Sequence, residues 1–446
     1  MNIGRKDVIW GYVSHILVQG INAILLPFVL FFLTPNELGL WYTFTALYGL
    51  AMLIDFGFQS TVSRHVSYVW SGADTVKSLG YDVVKEENSF NESFFIKLLS
   101  NIKFIYYIMG IIILIVLSTI GTFYIVKVSI DELDILIVLI SWTLYMTAII
   151  LNIAFSFWNS FLKGIGAIKY YNQTLIIAKF TQLLLSILFL FLGYGILGVS
   201  IAYFISVIVN RIILSKFFYK FHKRTSILKG KIKPKFQKNI IRSLLPNTFK
   251  AGVVSVSNYL ILNFPILLSS YFLSLEFSGK FGLVSQIITL ILTISNSYYN
   301  TYLSKFNYYR VKGQNKEILN LFKKSVAINY FINILAFISF LIFGDMILGV
   351  IASNQELLPL HILIIIIMYR FLYNNQNIFV TLLSTKNTLP YYKSFLISAL
   401  VTVLIQIVLL NINPSIYSII FPILFVQLIF NNWYWPRVVI KDLKGV

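Results

Sequence analysis

Twelve long apolar stretches, with basic residues gathered on alternate connections, constrain this chain more than any other feature. A helix crossing a bilayer needs about 20 mostly apolar residues. Such stretches lie near residues 8–33, 38–60, 104–126, 133–158, 172–193, 195–215, 243–273, 281–303, 325–348, 357–380, 391–411 and 413–435. The N-terminus, every even-numbered loop and the C-terminus hold all but two of the 36 Lys and Arg residues, counting those inside a stretch with the nearer side. The odd-numbered loops keep only Lys127 and Lys280, and they carry Glu37, Asp131, Glu132, Asp134, Glu276, Asp345 and Glu356. Retention of Lys and Arg in the cytoplasm sets orientation, so both termini are expected there. A miscounted stretch would invert the bias downstream of it, and no inversion occurs. The expected fold is an all-α polytopic membrane protein of about twelve transmembrane helices in two pseudo-symmetric six-helix lobes.

Composition agrees. The chain is 58% hydrophobic with mean hydropathy +0.81, far above a soluble domain. The net charge of +20 belongs to the positive-inside loops, so no nucleic-acid partner is expected. There is no cysteine, which excludes disulfides, thiolate metal sites and a cysteine nucleophile. His15, His65, His222 and His361 are scattered and none pairs with another at metal-ligand spacing. No P-loop or nucleophile–base pattern is present. No metal, cofactor or enzymatic activity is therefore expected. The first stretch is too long for a signal-peptide core and reads as a retained helix. No odd-numbered loop is long enough to form the outside platform that membrane enzymes acting on exported substrates use.

Three regions follow: an N-terminal lobe at 1–215, a basic linker at 216–242 lying on anionic lipid, and a C-terminal lobe at 243–446. The lobes look related. Pro27 is followed by Glu37-Leu38-Gly39-Leu40, a span and Arg64; Pro265 is followed by Glu276-Phe277-Ser278-Gly279, a span and Lys305. Both lobes begin on the cytoplasmic side, as in parallel repeats, whose transporters bind substrate at the repeat interface. Phe90, Phe94, Phe95, Leu98 and Leu99 suggest a surface helix leading into the third span. The third and ninth spans read as apolar, facing lipid or neighbours.

A charge buried in a membrane is costly and marks a functional site by default. Arg370, Lys179, Arg211 and Lys250 lie within spans or just inside their ends, against one acid, Asp55. Arg370 lies nine residues past His361, about 13 Å along the helix at 1.5 Å per residue and near the middle of its span. Snorkelling is open to Arg211 and Lys250, and an ion pair with a basic residue is open to Asp55. Polar stripes at helical spacing include His15, Gln19 and Asn22; Asn152, Ser156 and Asn159; Asn172, Lys179, Gln182 and Ser186; Asn247, Lys250 and Asn258; Gln286 to Asn300, with Asn296; and Arg370, Asn374 and Asn377. Together they predict a hydrated cavity in which Arg370, Lys179, Arg211, Lys250, Asn374, Gln19 and Asn296 face the substrate. With cations outnumbering the acid, that cavity favours an anion, and arginine's forked donors suit phosphate.

Pro35-Asn36-Glu37-Leu38-Gly39-Leu40-Trp41, then Leu50-Ala51-Met52-Leu53-Ile54-Asp55-Phe56-Gly57 and Ser63-Arg64, resemble the bacterial polysaccharide or O-antigen flippases (Wzx-type). These belong to the superfamily of multidrug and oligosaccharidyl-lipid exporters. The resemblance places Asp55, Gly57 and Arg64 in the family's span-2 signature. It implies two six-helix bundles opening alternately to either side of the bacterial inner membrane. It also implies an undecaprenyl-pyrophosphate-linked oligosaccharide as cargo, with polysaccharide polymerase and glycosyltransferases as associated enzymes. A coupling ion, H+ or Na+, stays open. Two alternatives remain: a cation-coupled multidrug exporter of the same superfamily, which calls for more intramembrane acids than Asp55, and a membrane polysaccharide polymerase or ligase.

Overall fold

The computed structural model describes residues 5–73, 75, 90–240, 249–352, 354–386 and 388–444, with the side chains of 5–16, 19, 304, 311 and 444 set aside. Every regular element among them is helical. The chain forms two compact units: Met1–Leu33 with Leu47–Ser255, and Thr34–Ala46 with Val256–Val446. In order, the first half contains α1 (Arg5–Phe32), α2 (Pro35–Met52), α3 (Phe58–Trp70), α4 (Glu92–Val116), α5 (Thr122–Ser129), α6 (Ile135–Ala154), α7 (Phe157–Gly164), α8 (Ile168–Phe191), α9 (Gly195–Phe221) and α10 (Lys223–Ser226). The second half contains α11 (Phe249–Leu262), α12 (Phe264–Phe272), α13 (Leu275–Ser295), α14 (Ser297–Thr301), α15 (Leu303–Val311), α16 (Asn315–Ile351), α17 (Leu360–Ser384), α18 (Tyr392–Ile412), α19 (Ile416–Val426) and α20 (Asn432–Lys444).

Among the described residues, ten continuous helical segments are long and apolar enough to cross a membrane. Two more helices complete six per half. One is α1, whose apolar stretch is Gly20–Phe32. The other is α17, 25 residues long, which carries Arg370, Asn374, Asn375, Gln376 and Asn377. The chain is an all-α polytopic membrane protein.

Helix starts are set by local chemistry. Thr34 and Glu37 form a reciprocal box at α2: the Glu37 carboxylate accepts the Thr34 N–H at 3.0 Å, and the Thr34 hydroxyl accepts the Glu37 N–H at 3.2 Å. Ser274 caps α13 through the Phe277 N–H at 3.1 Å. Orphan donors at a helix start need such acceptors, which gives Glu37 a local role. Gly39 has another: a Cβ there would lie 1.8 Å from the Leu275 carbonyl oxygen, so α2 and α13 approach more closely than any larger residue permits. Tyr42 donates from its hydroxyl to Gln286 at 2.7 Å in the same contact.

The expected surface helix before the third span is instead the start of α4. Segment 92–129 runs 38 residues and its counterpart, α16, runs 37. At 1.5 Å per residue each is about 55 Å long, well beyond a hydrocarbon core of about 30 Å. Phe95, Leu98, Leu99 and Ile102 are fully buried against Phe58, Phe157, Phe161 and Phe218. A protein core takes up this apolar face, so it does not lie on lipid.

The ninth span also departs from expectation. On α16, Ser325, Asn329 and Asn333 are buried. Four-residue spacing sets them on one helical face, which the surrounding Phe, Ile and Leu residues hide in any average over the span.

Candidate functional site

Several spans break. After α2 a 3-10 turn at Leu53–Asp55 leads into two left-handed residues, Phe56 (φ 47°) and Gly57 (φ 76°). The second is a glycine because that conformation costs glycine little. For phenylalanine it is a genuine outlier. The Phe56 ring sits where a Cβ on Gly252 would be, 1.9 Å away. At the matching point of the second half, α13 ends at Ser295 and α14 begins at Ser297. Breaks at corresponding positions of two repeats are where transporters expose polar backbone to a binding site. The fourth span breaks at Phe155–Ser156, between α6 and α7.

Asp55 stands at the first break. Its carboxylate accepts the Tyr106 hydroxyl at 3.0 Å and the Gln59 N–H at 3.2 Å. Among the described residues Asp55 forms no ion pair. Arg64 lies exposed on α3.

Arg211, on α9, spans the break in the fourth span. Its guanidinium donates to the Phe155 carbonyl at 3.4 Å, to Asn159 Oδ1 at 3.3 Å, and to Asn152 Oδ1. Asn152 in turn donates to the Tyr48 hydroxyl at 3.2 Å. Tyr203 packs against Tyr48 and stacks on Tyr145. Arg211 therefore does not snorkel. It supplies a further donor to the Phe155 carbonyl at the helix break, which also accepts the Trp158 N–H at 3.3 Å. Lys179 likewise turns inward, donating to Asn22 at 3.2 Å and Gln182 at 3.0 Å. Lys250 is exposed at the start of α11. The side chain of Gln19 lies outside the described residues.

Arg370, on α17, is 5% exposed. One Nη donates to the Ser285 carbonyl at 3.4 Å and to the Thr289 hydroxyl, both on α13. Neither arginine has an acidic partner among the described residues, and the Nε of each is buried without an acceptor. Leaving a buried charge uncompensated costs several kcal/mol, about 3–5 in measured cases. An anionic ligand would offset that cost through charge-assisted bonds.

Asn374 and Asn296 are committed elsewhere. Asn296 donates to Asn374 at 2.7 Å, Asn374 to Asn329 at 3.3 Å, and Asn329 back to Asn296 at 2.9 Å. This closed ring of amides joins the end of α13 to α16 and α17. Asn333 and Ser295 extend it. Two of its members were visible as stripe residues; Asn329 and Asn333 were not.

The sequence pattern that defines the family described as "Polysaccharide biosynthesis protein" matches residues 5–298. The chain belongs to that family. Solved structures extend the likeness to the whole chain. An inward-facing conformation of a MATE family multidrug resistance transporter of the MOP superfamily aligns with TM-score 0.74 and 11% identity, covering 99% of this chain and 100% of that one. An outward-facing conformation of such a transporter aligns at 0.57 and 12%, covering 99% and 98%. A MOP superfamily transporter from Pyrococcus furiosus, whose title reports reverse polarity of its binding pocket, aligns at 0.50 and 10%, covering 99% and 94%. No curated protein matches the sequence. At these identities the likeness fixes fold and leaves cargo to the site. The fold is the one these transporters share, and the residues that suggested the family fall inside the matched region.

Proposed function

We propose that this protein is a flippase carrying an undecaprenyl-pyrophosphate-linked oligosaccharide, of the O-antigen or capsule type, from the inner to the outer leaflet of the bacterial cytoplasmic membrane by alternating access. The observation that carries this reading is the pair of guanidinium groups held inside helical spans with no acidic partner among the described residues, Arg211 and Arg370. Arginine's planar fork matches phosphate oxygens, and Arg370 is the stronger candidate because fewer protein acceptors occupy it. Tyr48, Tyr145 and Tyr203 beside Arg211 suit contact with sugar faces. Membership in a polysaccharide biosynthesis family agrees with the cargo. The related fold, solved in inward- and outward-facing conformations, agrees with the mechanism.

A drug exporter of the same fold is the second reading, favoured by the MATE structures. It suits the polarity of this site less well, since among the described residues Asp55 is the one acid at a break inside a span, the others lying toward span ends. The test uses cells lacking the gene and supplied with this chain. Expected is loss of a lipid-linked glycan pool from the inner leaflet and return of surface polysaccharide, with no change in efflux of a cationic dye. Restored dye efflux with the glycan still held in the inner leaflet would overturn the reading.

A further inference from the structure

Residues 216–240 contain nine Lys and Arg and no Asp or Glu, yet they are not a slack connection. Lys216 to Phe221 complete α9. His222 caps α10 through the Arg224 N–H at 3.0 Å. Gly230, at φ 81°, turns the chain across the first turns of α4. There the Lys235 N–H donates to the Ser100 carbonyl at 3.2 Å, the Gln237 N–H to Asn101 Oδ1 at 2.6 Å, and Lys103 Nζ to the Ile232 carbonyl at 3.3 Å. Leu228, Ile232 and Ile240 are buried in the core that holds Phe95 and Phe218.

With those apolar side chains turned inward, all nine cations are exposed. So are Ile227, at 54%, and Phe236, at 59%. Among the described residues a single carboxylate answers the cations, Glu92, 2.8 Å from Lys231. Arg224 lies over the rings of Phe90 and Trp70 at 4.8 and 5.7 Å. The other cations stand on a fixed scaffold at the mouth of a span.

A loop that only sets topology needs Lys and Arg in number, with no fixed shape. This segment has a shape, and apolar side chains project from it among the lysines. Cations that reach phosphate oxygens, together with a protruding aromatic and an aliphatic residue, match the chemistry of a bilayer interface. We propose that residues 216–240 form a docking surface for anionic phospholipid headgroups of the leaflet from which α9 emerges. This is independent of what the protein carries. The attraction is largely screened beyond about 10 Å at 0.1 M salt, so salt reports on it.

The test uses the full chain in nanodiscs of phosphatidylcholine alone or with one third phosphatidylglycerol. Because the chain has no cysteine, Ser226→Cys takes a single polarity-sensitive dye next to Ile227. Phosphatidylglycerol should shift emission to the blue and reduce quenching by aqueous iodide several-fold, and high salt should reverse both. The variant with Lys229, Lys231, Lys233 and Lys235 all changed to Gln should lose the response, and Phe236→Ser alone should weaken it. Thermal unfolding of each variant checks that its fold is intact. Equal emission in both lipid mixtures would overturn the proposal, as would a full response from the quadruple variant. Inorganic pyrophosphate producing the shift in phosphatidylcholine discs would also overturn it, by marking the surface as a site for soluble phosphates.

Discussion

The two arginines inside the spans invite comparison, because the same side chain serves its surroundings differently. Arg211 gives three hydrogen bonds to oxygens of the α6–α7 region, one of them a carbonyl at a helix break. Arg370 gives two, both from one nitrogen, and one acceptor, the Ser285 carbonyl, already receives the Thr289 hydroxyl. In the first half the cation mends a broken helix. In the second, an amide ring does that work near Asn296 and leaves Arg370 with donors to spare. A buried charge with spare donors is better suited to recognition, and one with its donors used is better suited to architecture.

The largest expected effect comes from Arg370→Ala. A hydrogen bond to a charged group contributes about 1.5–3 kcal/mol, so cargo affinity should fall about 10- to 100-fold. Arg370→Lys should keep part of it, because the charge survives and the fork does not. Binding of the lipid-linked glycan to purified protein measures both, and unchanged affinity in Arg370→Ala would erase the distinction drawn here. The ordering should reverse for stability: Arg211→Ala should lower the unfolding temperature more than Arg370→Ala, since it takes the donor away from the Oδ1 atoms of Asn152 and Asn159 and leaves the Phe155 carbonyl only the Trp158 N–H. An equal or smaller loss would show that the break does not depend on the cation.

The amide ring sharpens the contrast. Asn329→Leu removes one member and leaves Asn374 without its acceptor and Asn296 without its donor, at about 1–3 kcal/mol for each unsatisfied group. Adding Asn296→Leu and Asn374→Leu should cost less than three times the single change, because partners leave together. Additive losses would argue against a closed ring. The smallest effect concerns His65 on α3. Burial and the neighbouring Arg64 lower its pKa from 6.5 to about 4. Folded, it stays neutral, while the unfolded chain takes up a proton below about pH 6.5. Its contribution to stability is thus complete above that pH and is lost as pH falls toward 4. The drop in unfolding temperature between pH 7 and pH 5 should be smaller in His65→Phe.

Much of this was legible in the sequence. Span count followed from apolar length and the alternation of basic residues, which a bilayer imposes directly. Arg370 and Asp55 stood out because a charge in an apolar run has no local explanation. What stayed hidden depends on partners distant in sequence. Asn329 and Asn333 have meaning only against Asn296 and Asn374. The Glu37 and Gly39 pattern suggested a family, while its local reasons, a capping box and a close approach to the Leu275 carbonyl, needed coordinates. The basic segment after α9 read as a linker on lipid from its charge alone; nothing in its composition shows that Leu228 and Ile232 anchor it to α4.

The central claim is that Arg370 recognises the anionic part of the cargo. Proteoliposomes containing the purified protein can be given one oligosaccharide on two carriers, a polyprenyl pyrophosphate and a neutral polyprenyl ether, and translocation of each followed by enzymatic access to the sugar. The wild-type chain is predicted to move the pyrophosphate-linked form at least about tenfold faster, and Arg370→Ala to lose that preference. Equal rates for both carriers in the wild-type chain, or an intact preference in Arg370→Ala, would contradict the account.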